Sequence, residues 1–282
     1  MIVTVANLPG SRTQSTCAVN LACELAGVAD PSADRWQSRY KVILLDADPA
    51  GDTVARYCSG RNLPVSCEQR RPADSNLEQW IQEVVATAAE VDYLVIVDPP
   101  HAEALTRALA GISDLVIIPC PVAGSDLGAI TPVTESIRAA RTTRTDAGPK
   151  CLLLPTSSPI GAMNGNGSGA ALQNLGEPLG PVLHESAEFE NAYRERRWIG
   201  DYAWNSPAHA DITALATCAK QLLNGKKERS PAVVRCTQAG IPEQNTDMFG
   251  HEYGTHRAHR PTTREPGGAQ EIPARARRAV EC

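Results

Sequence analysis

Five short apolar runs recur along the chain, and each is rich in Val, Ile and Leu without alternating with polar residues. They are Ile2–Val5, Val42–Leu45, Leu94–Val97, Leu115–Ile118 and Leu152–Leu154. Continuous apolar runs of this length are typical of strands buried on both faces, as in a parallel sheet. The pattern therefore predicts a parallel sheet with both faces covered.

Segments with helical periodicity lie between and after these runs. Ala18, Leu21, Ala22 and Leu25 follow the spacing i, i+3, i+4, i+7. Further helices are predicted over Leu77–Ala89, Glu103–Ala110, Leu127–Ala140, Glu188–Arg196 and Ala208–Leu223. Strands that alternate with helices predict an α/β fold with a doubly wound, mostly parallel sheet flanked by helices. Ligands bind such sheets at the carboxyl ends of the strands.

One segment, residues 158–181, breaks this alternation. It holds six glycines between Gly161 and Gly180. We interpret it as a solvated surface insertion, with a mobile loop over a site as the alternative.

Composition and charge narrow the class of protein. The chain has 282 residues, 42% hydrophobic and 21% charged, which is typical of a soluble globular protein. No apolar run approaches the roughly 18 to 20 residues of a membrane span. The amino terminus lacks the pattern of a secretory signal, so we expect a cytoplasmic protein, with association with the nucleoid an open alternative. The nine cysteines are scattered and form no Cys-x-x-Cys pair, so we expect reduced thiols and no disulfide framework.

The charge is spread unevenly. The whole chain carries a net charge of −5. Residues 225–282 hold 10 Lys and Arg, 7 Asp and Glu, and no Leu. Such a segment cannot bury enough apolar surface to offset the entropy of ordering it. We therefore predict one folded domain over residues 1–224 and a disordered tail over residues 225–282.

Candidate chemistry follows the strands. The first strand leads through residues 7–16 into a helix, which is the setting of a phosphate-binding loop. Asp46 and Asp48 follow the second apolar run, and Asp98 follows the third. An apolar run that ends in Asp is the Walker B pattern, whose carboxylate reaches Mg²⁺ directly or through water.

Together these motifs resemble the ParA/MinD family of deviant-Walker ATPases, and in particular its ParA-type partition proteins. The matching segments, in chain order, are Val5-Ala6-Asn7, Ala18-Val19-Asn20-Leu21-Ala22, Asp46-Ala47-Asp48-Pro49-Ala50-Gly51, Asp92-Tyr93, Ser113-Asp114-Leu115-Val116-Ile117-Ile118-Pro119, Phe189-Glu190-Asn191-Ala192 and Ser206-Pro207-Ala208. The resemblance implies a P-loop NTPase fold with ATP and Mg²⁺ as cofactors. It also implies a nucleotide-dependent homodimer that binds DNA nonspecifically and meets a DNA-bound partner protein of centromere-binding or relaxosome type.

The resemblance also assigns the site residues. Nucleotide binding falls on Gly10, Ser11, Arg12, Thr13, Gln14, Ser15 and Thr16. The Mg²⁺ ligands would be Ser15, Asp46 and Asp98, and the catalytic carboxylates would be Asp46 and Asp48.

The phosphate loop departs from the family pattern. Pro9 occupies the position of the family's signature lysine, and Gln14 occupies that of the Walker lysine. Ser11 and Thr13 replace two glycines, and only Gly10 is kept. A charge-assisted hydrogen bond contributes roughly 1.5–3 kcal/mol against about 1 kcal/mol for a neutral one, so losing both lysines weakens the grip on a triphosphate. The sequence therefore predicts a pseudo-ATPase or a very weak ATPase, placed in plasmid or chromosome partition or in DNA positioning.

Two other functions remain open. In the first, Arg12 turns inward and replaces the lysine, which gives a true ATPase of a conjugative-transfer or polar-positioning system. In the second, the protein is a non-catalytic interaction adaptor without any cofactor. Separately, the alternative to a Mg²⁺ or water site is that Asp46, Asp48 and Asp98 only cap helices and turns.

An arginine segment and one cysteine each allow two interpretations. Arg194, Arg196 and Arg197 are candidate DNA contacts, although a solvated helix face is the simpler interpretation. Cys17 lies at the start of the first helix, where the helix dipole would lower its thiol pKa, although a packing role is favoured.

Overall fold

The computed structural model describes residues 1–6, 13–27, 38–47, 52–60, 63–70, 76–97, 103–121, 127–146, 148–157 and 172–224. The predicted tail over residues 225–282 lies outside the described residues. Seven strands are described: β1 Ile2–Val5, β2 Val42–Asp46, β3 Ser66–Gln69, β4 Tyr93–Val97, β5 Leu115–Pro121, β6 Lys150–Ser157 and β7 Leu183–His184. The described helices are α1 Thr13–Leu25, α2 Asp52–Cys58, α3 Leu77–Ala89, α4 Glu103–Ile112, α5 Leu127–Thr143, α6 Ala187–Arg194, α7 Ile199–Tyr202 and α8 Pro207–Asn224.

The strands form one sheet in the order β3-β2-β4-β1-β5-β6-β7, and every neighbouring pair is parallel. Both faces of the sheet are covered. Along β2, Val42 and Leu44 pack into the core that contains α1 and α8, whereas Ile43 and Leu45 pack into the core that contains α3 and α4. The predicted α/β fold with a doubly wound parallel sheet is therefore confirmed.

Four of the described elements were not predicted, namely β3, β7, α2 and the four-residue α7, for reasons visible in their sequences. β3 is polar and half-exposed because it lies at an edge of the sheet, so it shows no apolar run. β7 has only two residues, and α2 has only seven. Short and edge elements give weak periodic signals, so sequence patterns miss them most readily.

Part of the glycine-containing segment is packed and not solvated, which corrects the interpretation of residues 158–181. Leu172 is buried against the core beside α5, with Leu175 and Leu179 packed on it. Arg141 on α5 holds Glu177 with both terminal nitrogens, at 2.6 and 2.9 Å. Residues 158–171 lie outside the described residues.

The cysteines also differ from expectation. Cys58, at the end of α2, forms a disulfide with Cys67 in β3. The expectation that the thiols are all reduced is therefore wrong for this pair, because the fold brings together two cysteines that are nine residues apart. Five other described cysteines are free and buried, namely Cys17, Cys23, Cys120, Cys151 and Cys218.

None of the helices in the described part of the chain combines the length and the apolar character needed to cross a membrane.

Candidate functional site

The last residues of three neighbouring strands, β2, β4 and β1, lie in register with one another. Val97 of β4 is in register with Val5 of β1 on one side and with Asp46 of β2 on the other. The last residues of these three strands therefore lie side by side. Asp98 comes directly after Val97 in the sequence.

Several predicted site residues lie outside the described residues. These are Gly10, Ser11 and Arg12 of the loop, together with Asp48 and Asp98. Their roles remain predictions. Thr13, Gln14, Ser15, Thr16 and Asp46 are described, and α1 and β2 place them.

Asp46 is a buried carboxylate, with 3% of its surface exposed. The Gln69 side chain at the end of β3 donates through Nε2 to Asp46 Oδ2 at 3.4 Å. The backbone N–H of Arg70 donates to the Asp46 carbonyl oxygen at 3.0 Å, which extends the contact between the two strands. Burial of an acidic side chain requires such polar partners.

Sequence reasoning missed Gln69 as a neighbour of the site. The only signal available was a polar residue at the end of β3, and the sequence analysis had not predicted that strand. Register pairs Gln69 directly with Asp46.

Gln14 is buried in the first turn of α1, with 3% of its surface exposed. Its Nε2 donates a hydrogen bond of 2.7 Å to the carbonyl oxygen of Val5, the last residue of β1. This amide therefore attaches the start of α1 to the end of β1 and carries no charge toward a phosphate. Thr13, Ser15 and Thr16 are half-buried and uncharged, so the described part of the loop, residues 13–16, offers no cation.

Asn20 is a second buried polar side chain on α1, after Gln14. It is fully buried, and its Nδ2 donates to the Thr16 carbonyl oxygen at 2.7 Å. Its Oδ1 accepts a hydrogen bond of 2.7 Å from the backbone N–H of Ile199 at the start of α7. Asn20 therefore links the helix behind the phosphate loop to the carboxyl-terminal part of the domain. The sequence analysis included Asn20 in a segment that resembles the family but assigned it no role.

Cys17 is a packing residue. It is fully buried in the core around α1, and burial raises the pKa of its thiol to about 12. The helix terminus does not lower the pKa of this thiol, because removal from water disfavours the thiolate more strongly. The favoured packing interpretation agrees with this placement.

The arginine segment carries its own counter-charges. Arg194 pairs with Glu190 one turn earlier on α6. Arg197 donates through Nε to Asp201 Oδ2 at 2.7 Å and also faces Glu195, and Asp201 raises the pKa of its guanidinium. Arg196 is exposed, in the left-handed backbone region with φ of 57°, just beyond the end of α6.

Three carboxylates therefore pair with two of the three arginines in this segment. This local balance weakens the field that would attract a nucleic-acid backbone. Contact between DNA and Arg194, Arg196 and Arg197 remains a prediction.

The described residues fit the implied cofactors only in part. The Ser15 hydroxyl and the Asp46 carboxylate are oxygen ligands of the kind that Mg²⁺ prefers. Within the described ranges, no group of three or more His, Cys, Asp or Glu side chains is placed to hold a metal ion. The loop residues fit the triphosphate less well, because residues 13–16 carry no positive charge.

No protein-family model matches the sequence, and no curated protein matches it. Solved structures do match by fold. Apo McdA from Cyanothece aligns with a TM-score of 0.60 and 14% identity over 78% of this chain and 98% of its own. MinD from Pyrococcus horikoshii, solved with Mg-ADP, aligns with a TM-score of 0.59 and 12% identity over 81% of this chain and 99% of its own.

A third match is a plasmid partition protein from Borrelia burgdorferi bound to AMPPNP. It aligns with a TM-score of 0.54 and 15% identity over 78% of this chain and 98% of its own. At such identities the likeness is one of fold. The chain has the fold of the ParA/MinD-type P-loop ATPases.

Proposed function

We propose that this chain is a ParA-like partition or DNA-positioning protein whose nucleotide site is eroded, so that it binds Mg-ATP weakly and hydrolyses it slowly or not at all. The observation that carries the proposal is the hydrogen bond from Gln14 to the Val5 carbonyl. A neutral side chain, committed to the protein backbone, stands at the Walker lysine position.

The retained carboxylates support nucleotide binding as part of this function. Asp46 lies beside the end of β4, the strand that leads directly into Asp98. Two proteins of this fold were solved with Mg-ADP and with AMPPNP. Mg²⁺, when bound, supplies positive charge to the phosphate oxygens. Ser15, Asp46 and Asp98 are the residues we expect to hold it, and Asp46 and Asp48 are the carboxylates that would orient a water.

The missing lysines explain why turnover should be slow. Negative charge shifts among the phosphate oxygens in the transition state of phosphoryl transfer, and a preorganised cation stabilises it. Gln14 supplies no such cation, and Pro9 removes a backbone N–H as well as the signature lysine. The loss falls on the transition state more than on binding.

The proposed partners follow from the resemblance: a second copy of the chain, nonspecific DNA and a DNA-bound partner protein. Within the arginine segment, Arg196 is the residue we expect to contact phosphate, because carboxylates hold Arg194 and Arg197. Association with DNA through so few cations should weaken steeply as salt rises.

The test is a calorimetric titration of the full chain with Mg-ATP at low salt, together with a phosphate-release assay. We expect measurable binding and little or no phosphate release. Asp46→Asn should weaken binding in the presence of Mg²⁺. Asp92→Asn is the matched control, because Asp92 accepts from the Lys41 backbone N–H just before β2, at the amino ends of the strands.

Two outcomes contradict the proposal. Absence of binding at millimolar ATP would favour the adaptor without a cofactor. Rapid turnover that Arg12→Ala abolishes would favour the true ATPase.

A further inference from the structure

The Cys58–Cys67 disulfide lies within the segment that leaves and returns to Asp46. The chain runs from Asp46 at the end of β2 through α2 to Cys58, and β3 then carries Cys67 back alongside β2 to Gln69. Gln69 donates to Asp46 through its side chain. The disulfide therefore restrains β3, the strand that places Gln69 beside Asp46.

β3 is a four-residue strand at the edge of the sheet, and its residues are half-exposed or exposed. Beyond its pairing with β2, Val65 and Cys67 pack against the core around α1. Arg70, which follows β3, accepts a hydrogen bond of 3.1 Å from the Trp80 indole N–H and donates through Nη1 to Thr87 Oγ1 at 3.1 Å, both on α3. Short edge strands open at low free-energy cost, so a covalent tie there changes the local stability.

Both cysteines of the pair are half-exposed, whereas the five free cysteines described are buried. A soluble reductant therefore reaches this pair first. Disulfides of cytoplasmic proteins in mesophiles are usually transient, catalytic or redox-sensing, and exposed ones are the labile class.

We propose that the Cys58–Cys67 disulfide is a redox-sensitive clamp on the candidate nucleotide site. The oxidised form holds β3 in the register that places Gln69 against Asp46. The reduced form frees β3, so that Asp46 loses the hydrogen bond from Gln69 and Mg-ATP binds more weakly. The effect on Mg-ATP rests on the proposed function, whereas the clamp itself does not.

Reduction is a two-electron exchange with a dithiol protein or with two glutathione molecules. A thiolate of the reductant attacks one sulfur of the pair and forms a mixed disulfide, which releases the other cysteine as a thiolate that takes up a proton. The second thiolate of the reductant then attacks the mixed disulfide. Cys58 and Cys67 end as thiols, and the reductant ends as a disulfide.

The first experiment measures the redox state of the pair. The full chain carrying Cys236→Ser and Cys282→Ser is equilibrated in glutathione buffers of graded ratio, alkylated and analysed by peptide mass spectrometry. We expect Cys58 and Cys67 to become alkylated together, with a midpoint inside the range of cellular glutathione. Alkylation of both at every ratio, or of neither at any ratio, would overturn the proposal.

The second experiment measures β3 directly. Trp80 is one of four tryptophans, and Trp80→Phe assigns its indole resonance in a ¹⁵N–¹H spectrum. We expect reduction to shift this resonance and to speed amide exchange over residues 66–70 by roughly tenfold. The Cys58→Ser/Cys67→Ser variant should match the reduced protein and ignore added reductant. An indole resonance and exchange rates that are identical in both redox forms would overturn the clamp.

The third measurement connects the clamp to the site. We expect reduction to weaken Mg-ATP binding roughly fivefold. A shifted Trp80 resonance with unchanged Mg-ATP affinity would overturn the coupling to the site. Absence of Mg-ATP binding in both forms would overturn the proposed function, and the indole and exchange data would still decide the clamp.

Discussion

The side-chain amide of Gln14 donates to the carbonyl oxygen of Val5 over 2.7 Å, and this bond joins the first turn of α1 to the last residue of β1. Both groups are buried. A hydrogen bond of this kind contributes about 0.5–1.5 kcal/mol to stability, so Gln14 has a structural role that does not depend on any nucleotide.

The first prediction restores the two lysines of the family's loop. Gln14→Lys combined with Pro9→Lys should raise ATP affinity, because two cations return to the neighbourhood of the phosphates. Calorimetry on the full-length protein measures the gain. Gln14→Met is the control: it removes the donor without adding charge, so it should lower the free energy of unfolding by about 1 kcal/mol and leave ATP affinity without a gain. Absence of any gain in the double lysine variant would mean that residues 9–16 are not the family's phosphate loop.

The second prediction compares two glycines. A Cβ on Gly200 would lie 2.1 Å from the ring of Trp198, which is fully buried, whereas a Cβ on Gly111 near the end of α4 would meet nothing within 4 Å. Gly200→Ala should therefore lower the free energy of unfolding by at least about 2 kcal/mol, since the indole must move. Gly111→Ala should raise it by roughly 0.5 kcal/mol through helix propensity. Urea denaturation measures both, and equal stabilities would contradict the packing of Trp198 over Gly200.

The third prediction concerns alkaline pH. Burial raises the pKa of the Cys17 thiol from 9.0 to about 12. The unfolded chain loses this proton first, so the stability that the neutral thiol contributes is complete below pH 9.0 and is lost between pH 9.0 and about 12. The free energy of unfolding should fall by about 1.4 kcal/mol per pH unit for each such group.

Cys120, whose pKa burial also raises to about 12, should act in the same direction as Cys17. Denaturation curves from pH 8 to about 10.5 for the wild type and for Cys17→Ala test the assignment. In the Cys17→Ala variant, the free energy of unfolding should fall less steeply with pH, because the contribution of one thiol is missing. An unchanged slope would mean that Cys17 titrates near its ordinary value.

The fourth prediction separates DNA contact from structural pairing among the arginines. Arg196→Ala should weaken DNA retention and lower the slope of log affinity against log salt by roughly 1, with little change in stability. Arg197→Ala should instead lower the free energy of unfolding by roughly 1 kcal/mol, because Asp201 loses its partner. Retention on DNA cellulose across a salt series measures the first effect. Equal retention by the wild type and Arg196→Ala would remove this residue from the DNA-binding surface.

The sequence predicted the central strands and the long helices because their residues are buried on both faces or along one stripe. β1 extends over Ile2–Val5 and α3 over Leu77–Ala89, which are the predicted bounds. β6 is longer than predicted, Lys150–Ser157 against Leu152–Leu154, because its end residues pair with β5 and β7. The packing of Leu172, Leu175 and Leu179 was not predicted because they lie on no continuous element: the chain turns after residue 173, and Leu179 forms an isolated bridge with Leu153.

The site was predicted less completely than the fold. The apolar runs correctly predicted that Asp46 lies at the carboxyl end of β2, beside the end of β4, because a parallel sheet aligns these ends. The neighbouring Gln69, the disulfide partner of Cys58 and the carboxylates around Arg197 depend on contacts between elements that are distant or unrecognised in the sequence. No local pattern reports which side chain a buried amide such as Gln14 will meet.

The position of β1 between β4 and β5 has a consequence for biosynthesis. Ile2 pairs with Leu94, so β1 must wait for about 90 more residues to be synthesised before its partner strand β4 exists. At 5–20 residues per second, the wait lasts roughly 5 to 20 s. During this interval the apolar segment Ile2–Val5 is a nascent strand without a sheet, which makes it a natural binding site for a chaperone on the emerging chain.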